Sequence, residues 1–401
     1  MRAHTLPKTV CIVFVFCAAT TIISAQTFTT LWDFNGTDGS ASNVLVQATN
    51  GNFYGITSGG GTSGNCRPYG CGTVFEITRT GKLTTLHSFD NTDGSTPAGG
   101  LVQATNGNFY GTTVGGGTSG SCGVSGCGTV FEITPAGILT TLHNFDGTDG
   151  SSPGGLVQAT SGNFYGTTAS SVNCGVSGCG TVFEITPTGK LTTLHSFDNT
   201  DGNFPNGLLQ ATNGNFYGTT AGGGTSGNCP DGCGTVFRLS VGLGPFVETR
   251  PTSGKVGAKV IILGSNLTDA TSVTFNGQAA IFTVVSSTEI TTTVPSDATT
   301  GKVRVKTPSR TLISNVNFRV TPTILGFSPT SGPIGTTVVI TGESFIRACT
   351  VTFGGVKATR FTVDSYTQIT ATVPTGAKTG KIEVTTAGGT ATSAETFRVR
   401  M

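Results

Sequence analysis

Three histidines share one position in a repeated segment of the chain: His87, His143 and His195. Histidines in a repeated set could bind a metal ion or act as general acid and base, because imidazole titrates near neutral pH. Each, however, lies on a predicted peripheral strand of a separate unit, so the side chains should not converge. Trp32 replaces the histidine in the first copy. We therefore predict aromatic packing at this position rather than a metal or acid-base site.

The same repeats carry a turn with two aspartates in the pattern Asp-x-x-Asp-Gly. Carboxylate oxygens are ligands that calcium prefers, and extracellular calcium is plentiful enough to fill weak sites. Two side chains are too few without backbone carbonyls and water, so the alternative is a turn whose carboxylates accept backbone amides. Calcium is the one cofactor that the sequence leaves open. The candidate ligands are Asp90, Asp93, Asp146, Asp149, Asp198 and Asp201, with Asn35-x-x-Asp38-Gly39 in the first copy.

A tyrosine follows a phenylalanine in every copy of the triplet Phe-Tyr-Gly. Neighbouring residues on a strand point to opposite faces, so one of the two could lie on an exposed rim. Tyrosines on a rim could stack on sugar rings, whereas the alternative is packing between units with the hydroxyl bonded to backbone. The candidate ligand-binding residues are Tyr54, Tyr110, Tyr165 and Tyr217.

The other motifs do not indicate an enzyme. Gly59-x-Gly61-x-x-Gly64 spells a dinucleotide fingerprint, but a cysteine pair and a strand follow it where a phosphate site needs a helix. The chain has no HExxH motif and no nucleophile elbow. A single active site should break the repetition, and the departures from it contain no convincing catalytic group: Arg67-Pro68-Tyr69, Asn203-Phe204-Pro205, Pro230-Asp231 and Arg238.

The elements that carry these residues are four tandem copies of one segment. The triplet begins at Phe53, Phe109, Phe164 and Phe216, in steps of 56, 55 and 52 residues. Each copy contains four short stretches typical of strands, separated by turn formers such as Asn106-Gly107. Repeats of this length with four strands each favour a four-bladed β-propeller-like domain.

The two ends of the array match each other. Residues 28–34 read as the last strand of a unit, and the fourth copy stops after Ser240 without that strand. We predict that the N-terminal strand closes the ring by completing the last blade, which would hide both sheet edges. An open stack of sheets is the alternative.

The repeat strings resemble the bacterial GloVer tandem-repeat family, whose copies carry Phe-Tyr-Gly-Thr-Thr followed by Gly-Thr-Val-Phe. The matching residues here are 109–113 and 128–131. The resemblance covers about half the chain and implies a surface or exported protein. It assigns no catalytic residue.

The C-terminal part contains a different pair of copies, about 78 residues apart, in which Pro251-Thr252-Ser253-Gly254 recurs as Pro329-Thr330-Ser331-Gly332. Residues 273–277, Val-Thr-Phe-Asn-Gly, recur as Val-Thr-Phe-Gly-Gly at 351–355. Each copy resembles an IPT/TIG module, which implies an immunoglobulin-like sandwich that serves as a spacer or an interaction surface. The sequence therefore predicts an all-β protein with a repeat domain and two such sandwiches.

The N-terminus is predicted to be a signal peptide. Arg2 and Lys8 precede an apolar run from Val10 to Ile23, and Ser24-Ala25 offers a cleavage site. The run is too short to span a bilayer, so the mature chain is predicted to be secreted or associated with the cell surface, with no transmembrane segment. The predicted domains are the signal peptide 1–25, the repeat domain 26–244, and IPT/TIG modules 245–320 and 321–401.

The cysteines fit an oxidising compartment. Close pairs precede Gly-Thr-Val-Phe in every repeat, and we predict one local disulfide per blade. Zinc is the alternative, but a closed zinc site needs four ligands and separate blades hold the pairs apart; pairing across blades also stays open. Cys349 is left over and is predicted to be a small buried thiol or an intermolecular bridge. The predicted pairs are Cys66 with Cys71, Cys122 with Cys127, Cys174 with Cys179, and Cys229 with Cys233.

Charge is distributed unequally along the chain. Only 10% of residues are charged, which excludes a polyelectrolyte tail or a coiled coil. Residues 26–244 hold 5 basic and 12 acidic side chains, whereas residues 245–401 hold 15 and 8. Lys302, Arg304 and Lys306 share one strand face; a solvated face, docking on the acidic repeats and polyanion binding are the alternatives.

The sequence as a whole predicts a non-catalytic binding, adhesion or scaffold protein outside the cell, with extracellular polysaccharide or another surface protein as partner. Cytoplasmic nucleic acid is excluded as a partner by the predicted export. The alternative is a propeller-based glycosidase or lyase, because propeller enzymes can draw paired carboxylates from distant loops.

Overall fold

The computed structural model describes residues 27–170, 179–229 and 232–400, and they form an almost entirely β fold. The predicted signal peptide, Cys174 and Pro230-Asp231 lie outside the described residues. Four antiparallel sheets make up the repeat domain, and four more form the C-terminal part. A single 3-10 turn, Gly123–Ser125, is the helical element of the described chain.

Each repeat builds one small sheet. The first contains β1 (Ser40–Ser42), β2 (Val46–Gln47), β3 (Phe53–Gly59), β4 (Thr73–Ile77) and β5 (Leu83–Ser88). The second contains β6 (Ser95–Gln103), β7 (Phe109–Gly115), β8 (Thr129–Ile133) and β9 (Leu139–Asn144). The third contains β10 (Ser151–Pro153), β11 (Val157–Gln158), β12 (Phe164–Ser170), β13 (Thr181–Ile185) and β14 (Leu191–Ser196). The fourth contains β15 (Asn203–Gln210), β16 (Phe216–Gly222) and β17 (Val236–Leu239).

The strand order is the same in all four sheets, and the fourth lacks a last strand. The orders are β1-β3-β4-β5 with β2 on β3, β6-β7-β8-β9, β10-β12-β13-β14 with β11 on β12, and β15-β16-β17. Asn-Gly or Ser-Gly turns lead into the central strand of each sheet, as at Gly107 with φ +89°, because such turns need positive φ.

The sheets stack face to face, and their cores lie between them. Phe109 faces the first sheet, in a cluster with Tyr54 and Val74. The next residue, Tyr110, faces the third sheet and clusters with Phe164. This alternation follows from the two-residue period of a strand and gives each inner sheet two buried faces.

Polar side chains also join the layers. Gln103 of the second sheet accepts the backbone N–H of Thr49 in the first sheet at 2.9 Å, and Gln158 does the same for Thr105 at 3.1 Å. Within each of the first three sheets, two buried threonines share a hydrogen bond across strands, as Thr113 and Thr129 do at 2.9 Å.

The predicted ring closure is not present in the described residues. Residues 28–34 are in no strand, and β17 has no partner on its outer edge. The hydrophobic clusters of the described residues join the first sheet to the second, the second to the third, and the third to the fourth, and none of these clusters joins the fourth to the first. The four blade-like sheets follow one another as predicted for a propeller-like domain, but within the described residues the N-terminal segment does not pair with β17.

Two immunoglobulin-like sandwiches follow, as predicted. The first contains β18 (Glu248–Arg250), β19 (Ser253–Gly254), β20 (Lys259–Leu263), β21 (Ser272–Phe275), β22 (Gln278–Ala280), β23 (Phe282–Ser286), β24 (Glu289–Thr293), β25 (Gly301–Lys306) and β26 (Thr311–Val320). The second contains β27 (Thr323–Ser328), β28 (Ser331–Gly332), β29 (Thr337–Glu343), β30 (Thr350–Phe353), β31 (Val356–Lys357), β32 (Phe361–Val363), β33 (Gln368–Thr372), β34 (Gly380–Thr386) and β35 (Gly389–Val399).

The two sandwiches have one topology. Their four-stranded sheets are β18-β20-β24-β23 and β27-β29-β33-β32, and their five-stranded sheets are β19-β26-β25-β21-β22 and β28-β35-β34-β30-β31. Each encloses its own core, around Phe275 and Phe353. A backbone hydrogen bond connects the repeat domain to the segment before the first sandwich: the Phe246 N–H donates to the Thr212 carbonyl at 2.9 Å.

Candidate functional site

The repeated tyrosines lie between sheets. Tyr54, Tyr110 and Tyr165 are at most 2% exposed. Each ring packs on the phenylalanine that begins the next triplet, with ring centroids 4.1 Å apart for Tyr54 and Phe109. The expectation of a rim position is wrong for these three tyrosines, because the next sheet covers the ring face that a sugar would need. Tyr217, in the last sheet, is half-buried.

The buried hydroxyls bind carboxylates, not backbone. Tyr54 donates to Glu76 Oε1 at 2.8 Å, and Asn52 Nδ2 donates to the same oxygen at 2.6 Å. Tyr110 donates to Glu132 at 2.7 Å and Tyr165 to Glu184 at 2.8 Å. Tyr54 and Glu76 are direct partners in the β3–β4 register. The glutamate that follows Val-Phe in the first three repeats was the sequence signal for this pair.

Burial and the neighbouring carboxylate both raise the pKa of these tyrosine hydroxyls. Burial is the larger cause and the hydrogen bond to Glu76 the next, and together they raise the pKa of Tyr54 from 10.0 to about 12. The pKa values of Tyr110 and Tyr165 are raised to about 12 for the same reasons. The native state therefore holds these protons more tightly than the unfolded chain does.

The raised pKa values predict an alkaline loss of stability. The contribution of these tyrosines is complete below their ordinary pKa of 10.0 and is lost as pH rises toward about 12. Urea unfolding at pH 8, 10 and 11, with phenolate absorbance at 295 nm, should show falling stability and four tyrosines that ionise late, because burial also raises the pKa of Tyr366. Tyr69→Phe is the control, since that side chain is exposed. Ionisation of all tyrosines together near pH 10 in the folded protein would contradict the prediction.

Each repeated histidine pairs with an aspartate of its own repeat. His87 Nε2 lies 2.6 Å from Asp93 Oδ2, and the pairs His143–Asp149 and His195–Asp201 lie at 2.6 and 2.7 Å. In the first copy, Trp32 Nε1 donates to Asp38 at 2.9 Å. Because indole N–H can only donate, the shared position indicates that histidine also donates from Nε2. The histidines do not converge on one another.

The predicted aromatic contact of the histidines is also present. His87 meets Phe89 edge to face at 5.0 Å, and His143 and His195 meet Phe145 and Phe197 in the same way. The hydrogen bond to aspartate was not predicted, because it depends on how the chain turns after the strand.

The aspartate turns are closed by their own backbone. Asp90 Oδ1 accepts the Thr92 hydroxyl at 2.6 Å and the Thr92 N–H at 2.9 Å, while Asp93 Oδ1 accepts the Asp90 N–H at 2.9 Å. The Thr92 hydroxyl is the main cause that lowers the pKa of the Asp90 carboxyl. The third and fourth turns repeat this arrangement around Asp146 and Asp198.

These turns contain the backbone hydrogen bonds that were expected of the alternative to calcium. The Oδ2 oxygens of Asp93, Asp149 and Asp201 bind histidine. Within the described ranges, no group of three or more His, Cys, Asp or Glu side chains could hold a metal ion. The six aspartates thus lie in three separate hydrogen-bonded turns.

The local disulfides are present as predicted where the structure describes both cysteines. They join Cys66 to Cys71, Cys122 to Cys127, and Cys229 to Cys233. The fourth predicted pair includes Cys174, outside the described residues. Cys349 is a free thiol and is exposed, so the prediction that it is buried is wrong; its strand entrance faces solvent.

One disulfide loop presents an exposed aromatic side chain. Tyr69 lies between Cys66 and Cys71 and is 82% exposed. It belongs to the departure Arg67-Pro68-Tyr69, and Arg67 is also exposed. In the equivalent loop of the second repeat Ser125 holds the position of Tyr69, and the residue before it, Val124, is 99% exposed. The sequence identified this loop only as an irregularity.

Family models match both parts of the chain. The model of the Gloeobacter/Verrucomicrobia repeat matches residues 18–124 and 67–260, well over half of the chain. The chain belongs to this family. Two IPT/TIG domains match residues 247–320 and 322–399, so the Gloeobacter/Verrucomicrobia repeats lead directly into the sandwiches.

Similar solved structures share low identity with this repeat protein. A surface glycan-binding protein from Prevotella bryantii is 21% identical, with 40% of each chain covered and a TM-score of 0.28. One from a xyloglucan utilization locus of Bacteroides uniformis is 25% identical over 38% of this chain and 48% of its own, with a TM-score of 0.19. A luciferin-regenerating enzyme is 14% identical over 51% and 63%, with a TM-score of 0.33.

The chain spans less than two thirds of the length of each of these structures. No curated protein matches the Gloeobacter/Verrucomicrobia repeat protein. Across the part of the chain that the structure describes, no helix is long and apolar enough to cross a membrane.

The basic strand of the first IPT/TIG domain alternates as predicted. Val303 and Val305 lie in the sandwich core, and Arg304 and Lys306 are exposed. Lys302 Nζ instead donates to the Asn315 carbonyl at 2.7 Å, and burial, with the charge of Arg304 second, lowers its pKa. Two of the three cations therefore remain available on the outer face.

Proposed function

We propose that this protein is an exported, non-catalytic binding or scaffold protein of the cell surface or extracellular space, with polysaccharide as its partner. The predicted signal peptide and the disulfides support export, because such bridges form and persist in oxidising compartments. The two sandwiches act as spacers that carry the repeat domain.

A non-catalytic role rests mainly on one observation. The groups able to do acid-base chemistry in the repeats are bound to each other in the same way in successive sheets: tyrosine to glutamate and histidine to aspartate. We infer that these repeated pairs stabilise the packing of one sheet on the next. An active site, in contrast, needs groups that face a substrate and a local break in the repetition.

The alternative is a propeller-based carbohydrate-active enzyme. The described departures from the repeat bring no pair of carboxylates together: Arg67 and Tyr69 lie in one loop, and Arg238 stands where the other sheets have glutamate. A glycosidase needs two carboxyl groups on either side of the scissile bond. No specific observation favours this alternative.

Tyr69 is the aromatic side chain that we assign to sugar contact. An exposed ring on a loop closed by a disulfide loses little conformational freedom on binding, and tyrosine combines an apolar face with a polar hydroxyl. The neighbouring Arg67 is free to donate to sugar hydroxyls or to an acidic group.

A polysaccharide panel tests the proposal. Affinity electrophoresis of the mature chain should show retardation by at least one polysaccharide, with no release of reducing ends. Tyr69→Ala should weaken binding about twofold to tenfold, given about 0.5–1.5 kcal/mol for an aromatic contact. Val124→Ala is the matched control in the equivalent loop and should leave binding unchanged.

Two results would contradict the proposal. Turnover that is lost when a carboxylate of the chain is replaced would favour the enzyme. Absence of binding to every polysaccharide, with a partner protein captured instead, would replace the glycan by a protein ligand.

A further inference from the structure

Among the described residues, the fourth sheet has an unpaired strand edge and an exposed outer face. Its last strand, β17, has no outer neighbour among the described residues. Val236 on β17 is 79% exposed, although the equivalent Val74, Val130 and Val182 are at most 1% exposed. Tyr217 is half-buried, whereas the equivalent tyrosines are covered by a following sheet. This end of the stack therefore lacks both a fourth strand and a covering sheet.

Residues 28–34 correspond to the last strand of a repeat, but no other strand of that repeat is described before them. Their sequence, Phe-Thr-Thr-Leu-Trp-Asp-Phe, matches the strands β5, β9 and β14. Phe34 meets Phe75 edge to face at 5.2 Å, as Phe89 meets Phe131 one repeat later.

Two further contacts place this segment in the same way. The Leu31 carbonyl lies close against Gly81, as the Leu86 carbonyl lies against Gly137. The bond from Trp32 to Asp38 repeats that from His87 to Asp93. Residues 28–34 thus lie against the first sheet as the fourth strand of a preceding sheet would.

The first sheet also lacks a cover on this side. Leu45 is 49% exposed, although the equivalent Leu101 and Leu156 are at most 9% exposed. Phe53 is only half-buried, whereas Phe109 and Phe164 are fully buried under a tyrosine of the preceding sheet. A sheet that covered this side would need three strands, with a tyrosine and a valine on the face toward the first sheet. The fourth sheet has three strands, and its Tyr217 is half-buried and its Val236 exposed.

We propose that the fourth sheet of one copy docks on the first sheet and residues 28–34 of a second copy, head to tail. The interface continues the one that three pairs of neighbouring sheets already form within the chain. In it, Tyr217 covers Phe53 of the second copy, and residues 28–34 add to β17 as its fourth strand. An exposed strand edge pairs readily in this way. Because the two surfaces differ, the contact builds open chains or closed rings of copies.

The repeat register gives the pairing across the new junction. Val74 faces His87 and Glu76 faces Thr84 in the first sheet. The equivalent positions place Val236 opposite Trp32, and Arg238 opposite Thr29, of the second copy. Val236 and Arg238 are exposed in this structure, so they can be substituted without loss of a buried contact.

Cysteine cross-linking tests the proposal and separates it from closure within one chain. In a Cys349→Ser background, Thr29→Cys and Arg238→Cys are made in separate full-length chains and mixed under mild oxidation. We expect a disulfide-linked species of twice the monomer mass. Val124→Cys mixed with Arg238→Cys is the control and should give little of it, since Val124 is exposed but far from the junction in the repeat order.

A second variant checks the same contact without cross-linking. Val236→Lys should abolish the concentration-dependent increase in mass seen by light scattering and leave the melting temperature of the monomer unchanged. A Thr29→Cys/Arg238→Cys chain that cross-links only within itself would overturn the proposal in favour of ring closure. A monomer at every concentration, with no cross-link in the mixture, would also overturn it.

Discussion

Replacing Phe131 by alanine should lower the free energy of unfolding of the repeat domain by about 3–5 kcal/mol, the usual cost of deleting a buried aromatic ring. Phe131 is fully buried in the cluster between the first and second sheets. It meets Phe89 edge to face at 5.2 Å, and its ring fills the space above Gly111. Chemical denaturation of the full chain, followed by a probe of the repeat domain, measures the loss.

Phe237→Ala is the matched control for this substitution. Phe237 occupies the same position in the fourth sheet and contacts Phe197 of the third sheet at 5.2 Å, but it is only half-buried, and among the described residues β17 has no outer strand beside it. Its replacement should therefore cost clearly less than that of Phe131. Equal losses at the two positions would show that the extent of burial of this ring does not set its contribution to stability.

Gly128→Ala should destabilise the same domain strongly, for two additive reasons. Gly128 has φ +93°, a conformation that costs a residue with a side chain about 1–3 kcal/mol. A Cβ there would also lie 2.2 Å from the Thr113 carbonyl oxygen, and relief of such overpacking costs about 1–3 kcal/mol more. A thermal melt of the full chain should show a large drop for the transition of the repeat domain.

Gly107→Ala separates these two causes. Gly107 has φ +89°, but no atom lies within 4 Å of the position that a Cβ would take there, so only the backbone conformation is penalised. We expect a smaller loss than for Gly128→Ala. If the two substitutions were equally harmful, the close approach of the Thr113 carbonyl would have no role.

Much of the repeat fold was predictable from neighbouring residues. The Phe-Tyr-Gly triplets and the turn formers around them predicted the central strands β3, β7, β12 and β16. The close pair of cysteines in every repeat, together with the predicted export, predicted local disulfides. In the C-terminal part, the alternation around Val303 and Val305 predicted which face is buried.

The polar pairs were not predictable in the same way. Glu76 and Tyr54 are 22 residues apart, and they meet because the register of β3 and β4 places them opposite each other. His87 and Asp93 meet because the chain reverses after β5. In the sequence alone, where these partners are not visible, the tyrosines have the residue type and spacing of sugar-binding residues. The aspartates likewise have the residue type and spacing of calcium ligands.

The sequence alone determined the all-β class, the number of repeats, the presence of two IPT/TIG modules and the local disulfides. These features depend on turn residues and on the two-residue period of strands, which are encoded in adjacent positions. Only the tertiary structure decided that the tyrosines face the next sheet and that residues 28–34 do not close the stack. Both features depend on contacts between residues that are far apart in the sequence. The free energy gained by burying those surfaces is therefore not encoded in any single segment.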